Sequence, residues 1–366
     1  MDSDVAVIGA GPAGVATAIA SALKGFRVTI FDSRQPPIDK PCGEGLLPEA
    51  VKALETLGIK LNATLAFQFS GLRFSDEFSS ASAQITQGRA FGLRRVSLHQ
   101  LLVDRATELG VRFRWGARVT DFNSRGVIAS GEMFPCKWIV GADGQHSAVR
   151  KIARIGSRYT LSRFGFRRHY KIPPWTNVVE VRWGHRCQMF VTPVSADEVC
   201  VALLSNSPQM RIDRALDQFP DVASRLRDVQ AASAESGTVT ALSCATTVAR
   251  GNLALVGDAS CTIDGIAGQG LSLAFQEAIH LADAFARKDL GYYKSAHRRV
   301  TRTAILTTLL LLVMDRSKWI RRKALRLFAR DPGLFSRMIS IHTGESSVDV
   351  LGMGEICDLG WRVISA

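Results

Sequence analysis

The sequence predicts an α/β fold for this 366-residue chain, on three observations. A short apolar strand, a glycine turn, an Ala-rich helix, a second strand and an acid follow one another over residues 4–32. Two later apolar strands also run into Gly-Asp turns, at 141–144 and 257–258, and Gly265, Gly268 and Gly270 follow the second. Strand-rich stretches separate these segments, and a basic helical tail comes after them. The glycine turns lie too far apart to be internal repeats. One α/β domain assembled from separated segments, with a second, β-rich domain inserted, is therefore the economical reading. The expected boundaries are 1–66, 92–158 and 241–295 for the first domain, 67–91 and 159–240 for the second, and 296–366 for the tail.

The first segment carries the most physics. Asp4 to Ile8 reads as a buried strand, Gly9-Ala10-Gly11-Pro12-Ala13-Gly14 as a turn, Val15 to Lys24 as a helix, and Arg27 to Phe31 as a strand ending on Asp32 and Ser33. Gly9 permits the tight turn, Gly11 lets backbone approach a pyrophosphate, and Gly14 lets the helix pack close to the strand. The helix N-terminus offers free N–H groups and a positive dipole end to that pyrophosphate. Asp32, eighteen residues after Gly14, stands where an acid accepts hydrogen bonds from a ribose. The flanking context makes this a dinucleotide-binding fingerprint of Rossmann-like type rather than a chance glycine pattern.

The remaining elements follow in order. Lys40-Pro41-Cys42-Gly43-Glu44-Gly45 is an ordered loop that approaches something closely, since it pairs glycines with proline. Helices are expected over Glu49–Leu57 and from Arg94 to about Leu109, closed by Gly58 and Gly110. Residues 67–91, Val111–Trp115 and Arg118–Phe122 read as strands. Trp138 to Gly141 is a strand running into Asp143-Gly144, and 160–240 is strand-rich with one helix near 211–228. Leu253 to Val256 repeats the strand-to-Gly-Asp design at Gly257-Asp258, and a helix opens near Leu271 after Gly268-Gln269-Gly270. Ligands of open α/β sheets sit beyond the carboxyl ends of the strands, so all three turns can converge on one cofactor.

Composition sets the class. Apolar content of 46% and charged content of 22% are those of a globular protein with a large core. The fingerprint begins four residues from the start, which leaves no room for a signal peptide and predicts a cytoplasmic protein. The seven cysteines include no C-x-x-C pair and the seven histidines lack ligand spacing, so reduced thiols and no metal site are expected. The net charge of +13 is concentrated between Arg287 and Arg337, where fourteen Lys or Arg face three Asp. Such asymmetry implies an anionic partner surface for the tail. No nucleic-acid module accompanies the charge, which ranks that partner last.

The trio of turns resembles those of the FAD-dependent class A monooxygenases and their relatives, the geranylgeranyl reductases and flavin-dependent halogenases. The matching residues are the G-x-G-P-x-G turn, Gly141-Ala142-Asp143-Gly144 with Ser147 and Arg150, Gly257-Asp258-Ala259, and Arg95 with Leu98 as an R-x-x-L element. The resemblance spans about residues 4–290 and implies a glutathione-reductase-type FAD-binding domain. It implies that Gly9, Gly11, Pro12, Ala13 and Gly14 hold the pyrophosphate and that Asp32 and Ser33 hold the adenosine ribose. Arg95 would contact the phosphate and ribityl portion and Asp258 the ribityl chain. Asp143 and Gly144 would flank the cofactor or cap the turn. The Gly268-Gln269-Gly270 backbone and Leu271 would lie near the flavin's pyrimidine end, and Cys42 and Gly43 over the flavin.

Two departures limit the transfer. Class A hydroxylases often carry His and Pro where this chain has Cys261 and Gly265. The geranylgeranyl reductase Y-x-W-x-F-P motif keeps only its proline, Pro193, and the halogenase W-x-W-x-I-P is absent. Lys40-Pro41-Cys42-Gly43 resembles the reductase K-x-C-G loop. The pattern as a whole looks closest to bacterial oxidoreductases associated with type III polyketide synthases.

The resemblance implies a monooxygenase that hydroxylates a lipophilic aromatic or polyketide-type substrate through a flavin C4a-hydroperoxide. FAD would be tightly bound and NAD(P)H a transient reductant, since no second G-x-G-x-x-G is present. Reduction of isoprenoid alkenes, with Cys42 as the candidate acid, stays open, as do a halogenase and a non-catalytic FAD-fold module. Phe67, Phe69, Phe74, Phe166, Trp175, Trp183, Met189 and Phe190 are either chamber or core.

The tail has two parts. Thr303 to Met314 is apolar but too short for a span of about twenty residues, and reads as a buried helix over the substrate cavity. Lys318, Arg322, Arg326 and Arg330 form one stripe, with Ile320, Ala324, Leu327, Phe328 and Trp319 on another face. Residues 318–330 are then either an interfacial helix on an anionic membrane, which would place the protein peripherally on the inner face, or an ordinary packing helix.

Overall fold

In the computed structural model, which describes residues 3–346, the strand Val5–Ile8 lies inside a six-stranded sheet. Its order is Ala249–Arg250, Leu253–Leu255, Trp138–Gly141, Val5–Ile8, Val28–Asp32, Arg112–Trp115. All neighbours are parallel except the first pair. Val5–Ile8 and Val28–Asp32 are buried on both faces, as a covered parallel sheet requires. One face is covered by the helices Pro12–Leu23, Arg95–Glu108 and Gly270–Arg287, through Val15, Ile19, Leu98, Leu102, Phe275 and Leu281. The other meets a small antiparallel sheet, Val119–Asn123, Gly126–Ala129 and Glu132–Pro135, through Val127 and Ala129.

The strand-rich stretches form an eight-stranded sheet. Its order is Cys261–Thr262, Ser236–Ala245, Ser157–Tyr170, Glu198–Ser205, Cys187–Ser195, Val178–Trp183, Gly71–Ser75, Ser80–Gln84. Residues 67–91 divide: Gly71–Ser75 and Ser80–Gln84 join this sheet, while Phe67–Phe69 and Ala90–Gly92 pair beside Gly45–Leu46. The helix expected near 211–228 is two short helices, Ile212–Leu216 and Pro220–Leu226. Pro220 opens the second, where its missing N–H and fixed φ suit a first turn.

One expectation about cysteine fails. Cys244 and Cys261 stand opposite each other in an antiparallel pair, Cα atoms 3.9 Å apart, and are joined as a disulfide. Strand register, invisible in the spacing of seventeen residues, brings them together.

The tail comprises the helices Leu290–Arg316, Lys318–Arg330 and Pro332–His342. They pack Ala304, Leu311, Met314, Ala324, Leu325, Phe328 and Phe335 against Phe74 and Trp183 of the large sheet. The apolar run at 303–314 is thus half what was expected: one face is core, but Leu306, Leu309, Leu310 and Val313 are exposed. In the next helix Ala324, Leu327 and Phe328 are buried in protein, the arrangement of the packing alternative. No helix among the described residues is long and apolar enough to cross a membrane. The residues 347–366 of the expected tail lie outside the described residues.

Candidate functional site

The first glycine turn is built as its residue types require. Gly9 has φ +108°, and a Cβ on Gly14 would stand 1.9 Å from the Gly9 carbonyl oxygen. Gly11 caps the helix in extended conformation and Pro12 begins it, and no side chain caps the orphan N–H groups of the first turn. Asp32, 8% exposed, accepts hydrogen bonds from the backbone N–H of Ala10 and of Arg34, each 2.8 Å. A carboxylate has about four acceptor positions, so two remain for the hydroxyls of a sugar.

The other two turns are locked to each other. Asp143 accepts from Ser147 Oγ at 2.5 Å and from the Val149 N–H at 3.1 Å, and Ser147 caps the helix Ala148–Ile152. Asp143 therefore builds the turn. Arg150, on that helix, donates to the carbonyls of Gln145 and Ala259 at 2.7 and 2.9 Å, which ties the second turn to the third. The third is fixed from beneath by buried Glu277, which accepts from the Gly257 N–H and from Ser260 Oγ. Asp258 accepts from Lys40 Nζ at 2.6 Å, so the loop 40–45 is pinned over the same space.

A single cavity of about 940 Å³ connects these parts. Gly9, Gly11, Pro12, Ala13, Asp32, Ser33, Cys42, Gly43, Arg95, Asp143, Gly144, Gly257, Asp258, Gly268, Gly270 and Leu271 all line it. Gly14 does not, because its task is helix–strand contact. Gln269 does not either: its amide donates to the His342 carbonyl and accepts from Thr307 Oγ1, so this side chain anchors the tail instead of facing a cofactor. Of the eight aromatic and Met positions read as chamber or core, Phe69, Phe74, Phe166 and Phe190 line the cavity, while Met189 and Trp183 are core.

Three features fit FAD. Gly11, Gly144, Gly268 and Gly270 face the cavity with nothing within 4 Å of where a Cβ would stand, which leaves room for a ligand against bare backbone. Helix N-termini at Gly11 and Gln269 suit anionic groups. Arg95 lines the cavity with a buried Nε that has no protein partner.

Two functional positions escaped sequence reading. Glu44, buried at φ +60°, binds His169 Nε2 at 2.6 Å and accepts from Arg167 Nη1 at 3.1 Å and the Arg95 N–H at 2.9 Å. Its own N–H reaches Cys42 Sγ at 3.4 Å. Arg167 also holds Asp39, whose carboxyl it keeps below the usual range. Only the glutamate's place beside Cys42 and Gly43 could have signalled it. Glu44, His169 and Cys200 are close enough for a cation, but Arg167 already supplies the positive charge and burial pushes the Cys200 thiol well up. The second is His342, which lines the cavity beside the Gly268-Gln269-Gly270 turn; burial lowers its pKa to about 4, so its imidazole is neutral. It lies over seventy residues from that turn in sequence, with no motif around it.

Comparison with known proteins gives consistent results. A family model described as FAD binding domain matches residues 2–292. The chain is 28% identical over 318 residues to a menaquinone reductase of Mycobacterium tuberculosis, covering 79% of this chain and 78% of that one. It is 25% identical to a 6-methylpretetramide 4-monooxygenase of Streptomyces rimosus over 95% and 94% of the two chains. A flavoprotein/dehydrogenase from Cytophaga hutchinsonii shares the fold, with TM-score 0.80, 19% identity and 93% of each chain covered. With all three turns in place and most of its length matched, the chain belongs to this FAD-binding domain family of class A monooxygenase-like flavoproteins, and it is an oxidoreductase with FAD as its cofactor.

Proposed function

We propose that this oxidoreductase is an NAD(P)H-dependent monooxygenase that hydroxylates a lipophilic aromatic substrate, of phenolic-lipid or polyketide type. The observation that carries the reading is the wall of the cavity. Every residue that the eight-stranded sheet contributes to it is uncharged, among them Leu72, Phe74, Val179, Val181, Phe190 and Leu204. Burying an aromatic ring there gains several kcal/mol at about 25 cal/mol per Å². An unpaired carboxylate against the same wall would lose more than that in desolvation, so a neutral ring is favoured over an acid.

Bound FAD would supply the redox chemistry, taking two electrons from NAD(P)H and activating oxygen. The chain's own residues do the rest. The Gly11 helix terminus and Arg95 would hold the phosphates, and Asp32 the ribose. Lys40 and Asp258 hold the 40–45 loop over the cavity and limit water entry. The N-terminus of the helix Gly270–Arg287 would stabilise negative charge on the reduced cofactor.

A second reading, reduction of an alkene in an isoprenoid lipid, is favoured by one observation. Cys42 lines the cavity on the pinned loop, where a thiol could deliver the proton that accompanies a hydride. Similarity to a menaquinone reductase supports the same reading. The test is incubation of the yellow protein with NADPH, air, long-chain phenols and polyprenyl quinones, with products read by mass. Gain of one oxygen on a phenol is expected. Gain of two hydrogens on a polyprenyl chain would replace the first reading by the second, and oxidation of NADPH with no product from either class would sink both.

A further inference from the structure

The charge of the tail and its exposed apolar residues are not absorbed by the cavity. Among the described residues, five of the ten exposed large apolar side chains fall within 306–319: Leu306, Leu309, Leu310, Val313 and Trp319. The first four recur at helical spacing on the outward side of Leu290–Arg316. Arg302 stands one turn before them and Arg316 one turn after, both exposed. At 100° per residue, Arg302, Leu306, Leu309, Leu310, Val313 and Arg316 share one continuous stripe. The opposite side of the helix is core, with Ala304, Leu311 and Met314. The stripe is therefore not a misplaced core face but a second apolar face left in the open.

Its surroundings are basic and aromatic. Lys323 lies over the Trp319 ring at 5.0 Å, and the Arg322 guanidinium lies over the ring of Phe78, itself 60% exposed, at 3.9 Å. Lys318, Arg326 and Arg330 are exposed. Between Arg302 and Arg330 the one acid is Asp315, and it turns inward to Arg163 and Gln188. Glu77, paired with Arg322, is the acid that faces this patch from the neighbouring hairpin.

We propose that this stripe, with Trp319 and Phe78 beside it, docks the protein flat on a bilayer that bears anionic lipids. Leucines and valine enter the headgroup boundary, the aromatic rings sit at its level, and Arg302 and Arg316 reach the phosphates from either end. The helix lies in the membrane plane and does not span it. The docking face is thus not the apolar side of 318–330, which the protein buries, but the helix before it. Thr307, on the inner side of that helix, hydrogen-bonds Gln269 at 3.3 Å, so the docked helix borders the turn that lines the cavity. The inference stands whether the enzyme hydroxylates or reduces.

The test is sedimentation of the full-length flavoprotein with vesicles of phosphatidylcholine, with and without about one third phosphatidylglycerol. Binding to the anionic vesicles is expected, and it should weaken several-fold when ionic strength is raised from about 0.1 to 1 M. Leu306→Ser with Leu310→Ser and Val313→Ser should lower partitioning at least ~tenfold while the flavin content stays that of wild type. The blue shift of tryptophan emission on vesicles should disappear in Trp319→Phe. Equal partitioning of wild type and the triple variant, or no vesicle binding by the full chain, overturns the proposal. So does a concentration-dependent dimer that the triple variant abolishes, since the stripe would then belong to a second copy.

Discussion

The dinucleotide cradle and the wall-and-tail half of this molecule hold the same cavity by opposite means. In the cradle the working groups are mostly backbone atoms, set within residues 9–32: Gly9, Gly11 and Gly14 shape one turn, and Asp32 closes it through Ala10. In the other half, side chains meet across long stretches of chain. Glu44 reaches His169 over 125 positions, Arg163 reaches Asp315 over 152, and Gln269 reaches His342 over 73. Local geometry can be written in a six-residue motif, whereas a wall assembled from distant strands cannot. The difference predicts where single substitutions act on cofactor binding and where they act on stability.

The largest effect belongs to the cradle. Gly14→Val places a Cβ 1.9 Å from the Gly9 carbonyl oxygen, a contact that no rotamer relieves. The turn must open, and FAD retention is expected to fall to near zero, read as visible flavin absorbance per mole of purified protein. Full flavin content in this variant would mean that the turn is not the cofactor's anchor.

The second effect belongs to the junction between the halves. Glu44→Ala leaves the buried Arg167 guanidinium and His169 without their shared carboxylate, and breaking such a buried pair costs about 3–5 kcal/mol. The urea midpoint should fall accordingly with little change in slope, and Glu44→Gln, which keeps the shape, should fall less. A loss below about 1 kcal/mol would show that water or Asp39 compensates, and the junction would not be the stiff element argued here.

This contrast also explains what was legible beforehand. The α/β class and the order of the three turns follow from glycines and acids at the ends of apolar strands, whereas Cys42, Gly43 and Arg95, which also line the cavity, were placed by the family resemblance. Gln269 was read for its backbone alone, and what no motif announces is its side chain, which serves the tail. Cys244 and Cys261 were read as free thiols because their pairing depends on strand register. For the tail, the sequence leaves residues 318–330 open between an interfacial and a packing helix, and the outward apolar stripe of 306–313 was not foreseen. Charge periodicity locates a stripe, but the partner that covers the other side is decided by the large sheet, through Phe74 and Trp183.

His342 gives the finest probe of the tail's closure. Its imidazole is buried against the Gly268-Gln269-Gly270 turn, and burial lowers its pKa from 6.5 to about 4, while a hydrogen bond to the Ala267 backbone works the other way. The folded-state pKa lies below the unfolded one, so the unfolded chain binds the proton first. The stability linked to this group is full above about pH 6.5 and drains away as pH falls toward 4, on the order of 3 kcal/mol in all. His99 and His280 are also lowered by burial, so wild type alone mixes three histidines. The difference between wild type and His342→Gln isolates one. Wild type should lose stability more steeply than the variant as pH falls from 6.5 to 4, because the variant lacks the histidine's share of the decline. Parallel curves would mean that the imidazole reaches water in solution, and that the tail does not seal the cavity at the flavin turn.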